Sequence, residues 1–231
     1  MINGSNINGV ILEDLDIEVT DSNSTATAIY LENVSGNIRN VNISGSSPQL
    51  EGLAIRGANS DMRVDNVNID VTSGAGFVLT VDTGAQAKIN NLSIDLIVSE
   101  DASSVPSAVR IDTTGTKFIG RNIESIVTAN GAILCSNLFV TTTTDVTISH
   151  SKLSCSGNTT GTVMVSEGGE VDISHSVITG DAGAGLIASN DTSIARMTHS
   201  QLNGGSTSGA GTITCAGVTD EALAFYQTTC P

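Results

Sequence analysis

Ile148-Ser149-His150-Ser151-Lys152-Leu153, Ile173-Ser174-His175-Ser176-Val177-Ile178 and Met197-Thr198-His199-Ser200-Gln201-Leu202 are copies of one pattern. It reads apolar, small hydroxyl, His, Ser, variable, apolar. All three histidines of the 231-residue chain stand in this frame, 175−150 = 25 and 199−175 = 24 residues apart. Spacing this regular marks a stacked repeat rather than a scatter of catalytic imidazoles.

The pattern extends upstream with Asp or Asn in the histidine place. The copies are Leu12-Glu13-Asp14-Leu15-Asp16-Ile17, Ile38-Arg39-Asn40-Val41-Asn42-Ile43, Val64-Asp65-Asn66-Val67-Asn68-Ile69 and Ile89-Asn90-Asn91-Leu92-Ser93-Ile94. Around Phe118-Ile119-Gly120-Arg121-Asn122-Ile123 the register has no unique placement. A second alternating strand follows each copy. In order these read Ile29-Tyr30-Leu31, Leu53-Ala54-Ile55, Leu79-Thr80-Val81, Val109-Arg110-Ile111, Ile133-Leu134-Cys135, Val163-Met164-Val165, Leu186-Ile187-Ala188 and Ile213-Thr214-Cys215, separated by 24, 26, 30, 24, 30, 23 and 27 residues. A further alternation leads into the template, as in Val146-Thr147-Ile148. Period-2 alternation with one apolar face predicts half-buried strands.

A repeat of about 25 residues is too short for a propeller blade, which needs roughly 40. The leucine-rich consensus is absent. A parallel β-helix fits, with one repeat per coil and inward residues stacked in rows. About eight coils at about 4.8 Å each give a rod on the order of 40 Å long. The expected division is a β-helix over 1–217 and a capping tail over 218–231. Extra residues fall in loops such as 98–106.

Composition agrees with many short strands. Aromatics are 3%, tryptophan is absent, and Gly, Ser, Thr and Asn abound; such residues favour turns and β-branched strands. The net charge of −15 repels phosphate backbones and anionic bilayers, which argues against nucleic-acid binding. No apolar run reaches the roughly 20 residues of a membrane span, so no membrane insertion is expected. No basic leader with an apolar stretch follows Met1, so a fragment, a mature form or a cytoplasmic chain is expected. The Ser/Thr/Asn/Gly-rich composition favours an extracellular or cell-surface protein.

The copies of I-x-N-[VL]-x-I and I-S-H-S-x-[LI] resemble the coils of right-handed parallel β-helix proteins of the pectin-lyase-like superfamily. That resemblance covers nearly the whole chain and concerns architecture. It implies a ladder of turn residues at Asp14, Asn40, Asn66, Asn91, His150, His175 and His199. It also brings to mind enzymes on acidic polysaccharides. Yet the N-T-D, D-D, G-H-G and R-I-K strings of the polygalacturonase-like hydrolases are all missing. The ending from Cys215 to Pro231 resembles, more loosely, the ends of some bacterial secreted β-helix proteins.

Each candidate site has a plain structural alternative. The histidines offer a metal or acid/base row, but His, like Asn and Asp, also tolerates the left-handed backbone of a tight turn. Glu18, Asp70, Asp95 and Glu124 form an outward acid row; calcium is the ion such oxygens would hold, and no other cofactor is expected. More commonly such a row is a solvated face. Arg56, Asp82, Arg110 and Asp112 are the outward cluster closest to a catalytic set, and a cross-coil salt-bridge ladder accounts for them equally. With nine Lys and Arg and no tryptophan, both acidic-polymer binding and ring stacking on sugars are weakly supported.

Cys135, Cys155 and Cys215 fall on inward positions, where free buried thiols are a fair alternative to disulfides. A Cys135–Cys155 bond is the lesser alternative. Cys230 lies in the tail, and a Cys215–Cys230 bond would pin that tail across the last coil, with Leu223, Phe225 and Tyr226 covering the core. The outward row of the second strand places Leu134, Met164 and Ile187 on consecutive coils. Either the 137–145 loop or another protein chain is expected to cover them. The sequence therefore predicts a non-catalytic structural or adhesive β-helix, with a polysaccharide or another protein chain as partner. The alternative is a polysaccharide lyase, hydrolase or phage-type depolymerase.

Overall fold

The computed structural model describes residues 1–20, 25–98, 106–129, 134–142, 144–157, 159–181, 183–204, 206–228 and 230–231. The described residues contain strands and turns and no helix, and they form a parallel β-solenoid of about seven turns. Among the described residues no helix is therefore long and apolar enough to cross a membrane. Each strand lies beside its copy in the next coil. Leu12 pairs with Ile38, Ile38 with Val64, and Val64 with Ile89. Further along, Ile148, Ile173, Met197 and Cys215 continue the same line. Identical register in every coil follows from period-2 alternation, because a one-residue slip would turn every apolar side chain outward.

The corner of each coil is one residue long. Asp14, Asn40, Asn66 and Asn91 have φ of 53–54°, and His150, His175 and His199 have φ of 47–52°. This left-handed conformation is costly for bulky residues and tolerated by Asn, Asp, His and Gly. One such residue swings the chain from the first face of the rod to the second. Upstream, the strands Asn8–Thr20, Ser35–Arg56, Asp61–Ala75, Gln86–Val98 and Lys117–Ala129 run through that corner. Downstream the pairs Asp145–Ser149 with Lys152–Ser156, Glu170–Ser174 with Val177–Gly180, and Ile194–Thr198 with Gln201–Asn203 break at it. The third face is built from the second strands. Its inward row of Leu31, Ile55, Val81, Ile111, Val140 and Val165 is fully buried, each side chain contributing about 1.5–3 kcal/mol.

The irregular coil has a resolved register. Asn122 takes the corner with φ 53°. Gly120 stands where other coils carry an apolar residue, between Ile89 and Ile148, and Ser125 replaces the next one, between Ile94 and Leu153. Phe118, wholly buried, fills the room Gly120 leaves. A Cβ on Gly120 would sit 2.8 Å from the Phe118 ring.

Two of the eight expected second-strand copies are corrected. In the coil after Ile111 the strand is Leu138-Phe139-Val140, paired with Val109-Arg110-Ile111 and with Val163-Met164-Val165. Both candidate segments have the apolar-x-apolar form, and it is Leu138-Phe139-Val140 that takes the register of the third face. Ile213-Thr214-Cys215 pairs with Ala195-Arg196-Met197, so it belongs to the first face. That leaves about seven turns rather than eight.

Both cysteine pairs are bonded. Cys135–Cys155 spans 20 residues with Cα atoms 6.0 Å apart, and Cys215–Cys230 spans 15 with Cα atoms 5.1 Å apart. The state of Cys135 and Cys155, open between free core thiols and a bond in the sequence, is thereby resolved as a bond. The tail is pinned but does not cover the core as expected. Val218–Thr219 pairs antiparallel with Phe225–Tyr226, while Leu223 is 72% and Phe225 68% exposed. Asp220 organises this hairpin: the backbone N–H groups of Ala222 and Ala224 and the Tyr226 hydroxyl donate to its carboxylate.

Candidate functional site

The corner residues form one exposed column down the rod, and its two halves differ in chemistry. In the upstream half the amides bond from coil to coil. Asn40 Nδ2 donates to Asp14 at 2.9 Å, Asn66 Nδ2 to Asn40 at 2.8 Å, and Asn122 Nδ2 to Asn91 at 3.1 Å. Asn91 instead donates to Asp65, at 3.0 Å. The residue after each corner is apolar and buried: Val41, Val67, Leu92 and Ile123.

In the downstream half the corner imidazoles stack. His150 and His175 lie 5.1 Å apart with rings 9° from parallel, and His175 and His199 5.5 Å apart at 13°. The residue after each is a buried serine. The backbone N–H groups of Ile123, Ser151 and Ser176 donate to Ser151, Ser176 and Ser200 Oγ, at 3.0–3.1 Å. Each hydroxyl donates in turn to the carbonyl two residues before it. The I-S-H-S frame is thus a double ladder, rings outside and hydroxyls inside. Beside the column runs a shallow groove, with concavities of about 470 Å³ along the amides and about 430 and 550 Å³ along the imidazoles.

The charged cluster sits on the third face. Arg56 Nε is 3.4 Å from Asp82, its neighbour in register. Arg56 Nη2 is 3.0 Å from Glu51, a partner that the sequence reading missed. Arg110 binds Asp112, one residue past the end of its own strand Ser107–Ile111, at 2.5 Å. Arg56 also lies over the Tyr30 ring, 5.5 Å from its centroid, and Arg110 over Phe77 at 4.3 Å. Burial works against the Arg56 charge; Glu51 and Asp82 outweigh it and raise its pKa above the ordinary arginine value. Burial likewise opposes the Asp112 charge. Donation from Thr141, Arg110 and the Thr113 backbone, with the Arg110 charge, overcomes this and holds its carboxyl below the usual range. A depression of about 380 Å³ opens between Glu51, Arg56, Phe77 and Arg110.

The acid row is less continuous than expected. Glu18, Ser44, Asp70 and Asp95 do follow one another in register, but Ile126 comes next. Glu124 lies one column over, between Ser93 and Lys152, and pairs with Lys152 at 3.6 Å. The shift follows from the Gly120/Ser125 coil, whose template was unreadable. Among the described residues no three His, Cys, Asp or Glu side chains are arranged around a common ion.

The apolar row is corrected in one member. Phe139, not Leu134, stands beside Met164 and Ile187. The Leu134 side chain lies outside the described residues, as do 99–105 of the loop at 98–106. Residues 137–140 of the expected covering segment belong to the strand Leu134–Val140. Phe139, Met164 and Ile187 are half-buried. The last two lean over Gly161, where a Cβ would meet Met164 at 2.8 Å and Ile187 at 2.7 Å.

Comparison of the chain with protein-family models, with curated proteins and with solved structures finds no match.

Proposed function

We propose that the chain is a non-catalytic structural or adhesive β-helix of a secreted or cell-surface protein, built on the plan of the pectin-lyase-like superfamily. The observation that supports this most is the closure of the charged cluster upon itself. Arg56 is occupied by Glu51 and Asp82, and Arg110 by Asp112 and the Phe77 ring. A lyase or hydrolase needs a base or acid free to reach its substrate; here each candidate holds a neighbour. Two disulfides accord with an extracellular setting. In this reading the ladder groove and the Phe139–Met164–Ile187 row are the surfaces that meet a polysaccharide or another protein chain.

The depression beside Arg56 and Arg110 supports the competing reading, an enzyme on acidic polysaccharides. Incubation with pectins, alginates and other uronic-acid polymers, with and without calcium, separates the two. The structural reading expects no new reducing ends and no unsaturated-uronate absorbance. Turnover that disappears in Asp82→Ala or Arg110→Ala would replace it with the enzymatic one.

A further inference from the structure

The fold asks of the corner only a residue that accepts a left-handed backbone, and Asn meets that demand in the upstream coils. Those amides also bond to neighbouring coils. The imidazoles do not: among the described residues none of the three rings has a hydrogen-bond partner. They touch through their faces, and their side chains are exposed. All the histidine of the chain is gathered where its ring nitrogens are left without protein partners.

We propose that adjacent rings, His150 with His175 or His175 with His199, are a two-imidazole binding site for a borderline transition-metal ion such as Zn²⁺. Neutral imidazole is a common ligand of such ions. A Zn–N bond is about 2.0–2.1 Å, so two nitrogens sharing an ion stand at most about 4 Å apart. Rings 5.1 Å apart and nearly parallel need only tilt toward each other, and exposed side chains have that freedom. Water completes the coordination, and the concavities of about 430 and 550 Å³ beside the rings leave room for it. The concavity at His175 and His199 is lined by Ser, Val, Gln, Gly and Thr besides the two rings, with no carboxylate. The concavity at His150 and His175 adds Glu124, which is paired with Lys152; one carboxylate falls short of the several hard oxygens that Ca²⁺ and Mg²⁺ need. The net charge of −15 concentrates cations at the surface. Because His175 belongs to both pairs, one ion binds per chain.

Calorimetric titration of Zn²⁺ into the whole chain, in a non-coordinating buffer, tests this. One ion should bind with Kd below about 1 mM. His175→Asn leaves His150 and His199 two coils apart and should weaken binding by about tenfold or more. His150→Asn and His199→Asn each keep one pair and should keep one ion. Circular dichroism of all three should match the parent, since Asn already occupies this corner upstream. In the parent, Zn²⁺ should shift the three imidazole Cε1–H resonances, a readout that needs no variant. Absence of Zn²⁺ binding below that limit, unmoved imidazole resonances, or a His175→Asn chain that binds like the parent each overturns the proposal.

Discussion

The two halves of the rod solve one geometric problem in two ways. At the corner, Asn40 and His175 hold nearly the same backbone angle, 53° and 51°. Behind Asn40 stands Val41, buried among apolar neighbours; behind His175 stands Ser176, buried in a chain of hydroxyls and amides. At this corner the upstream half keeps its polar links outside and an apolar side chain within. The downstream half moves the polar links inside and leaves the outer ring nitrogens without protein partners. The corner conformation is therefore what the fold fixes, and the side chains around it are where the halves were free to diverge.

Three measurements sharpen that contrast. The largest effect is expected where the halves meet. Phe118→Ala empties the space beside Gly120 and should cost about 3–5 kcal/mol. Chemical denaturation would record the loss. A cost below about 1 kcal/mol would mean that the junction collapses around the void.

Next comes the inner ladder. Ser176→Ala removes the acceptor of the Ser151 N–H and the donor to the Ser174 carbonyl. Leaving those groups buried and unpaired should cost about 1–3 kcal/mol. Ser176→Val copies the upstream corner but should not restore stability, because the Ser151 N–H stays unpaired. If Val proves as good as Ser, the two corners are interchangeable and the contrast fails. Hydrogen exchange at Ser151 reads the same bond directly.

The smallest effect belongs to the third face. The Asp112 carboxyl is held below its ordinary pKa in the folded chain. Its stabilising contribution is therefore complete above the unfolded value, near 4, and is lost as pH falls through the lowered folded value. Asp112→Asn should flatten the acid limb of the stability curve below about pH 4. An identical acid limb in parent and variant would show that other carboxylates govern it.

Much of the architecture was legible because stacking repeats the same constraint. Corner residues, inward rows and parallel pairing all follow from the recurrence of the I-S-H-S and I-x-N frames. Legibility stopped where a coil traded its markers. Gly120 and Ser125 replace both apolar positions that would have flagged Asn122, and Phe118 compensates from outside the template. The misplaced Glu124 follows from the same coil. Leu138-Phe139-Val140 was hidden by a competing alternation at Ile133-Leu134-Cys135. Glu51 escaped notice because its link to Arg56 depends on how far side chains reach along one strand, which alternation does not encode. The tail's apolar residues suggested a lid, but a hairpin organised by Asp220 turns Leu223 and Phe225 outward.

The one-residue corner also determines where the rod can grow. From the start of each second strand at Ile29, Leu53, Leu79, Val109, Leu138, Val163 and Leu186 to the next corner, the chain takes 11 to 13 residues, as in 40−29 = 11 and 66−53 = 13. From corner to second strand it varies, from 186−175 = 11 to 109−91 = 18. Length is thus admitted chiefly along a single seam, where the step differs by up to 18−11 = 7 residues, against 13−11 = 2 on the other side. Foreign peptides grafted into that seam, at 98–106 for instance, would be displayed in file along one edge, spaced by the coils beneath them.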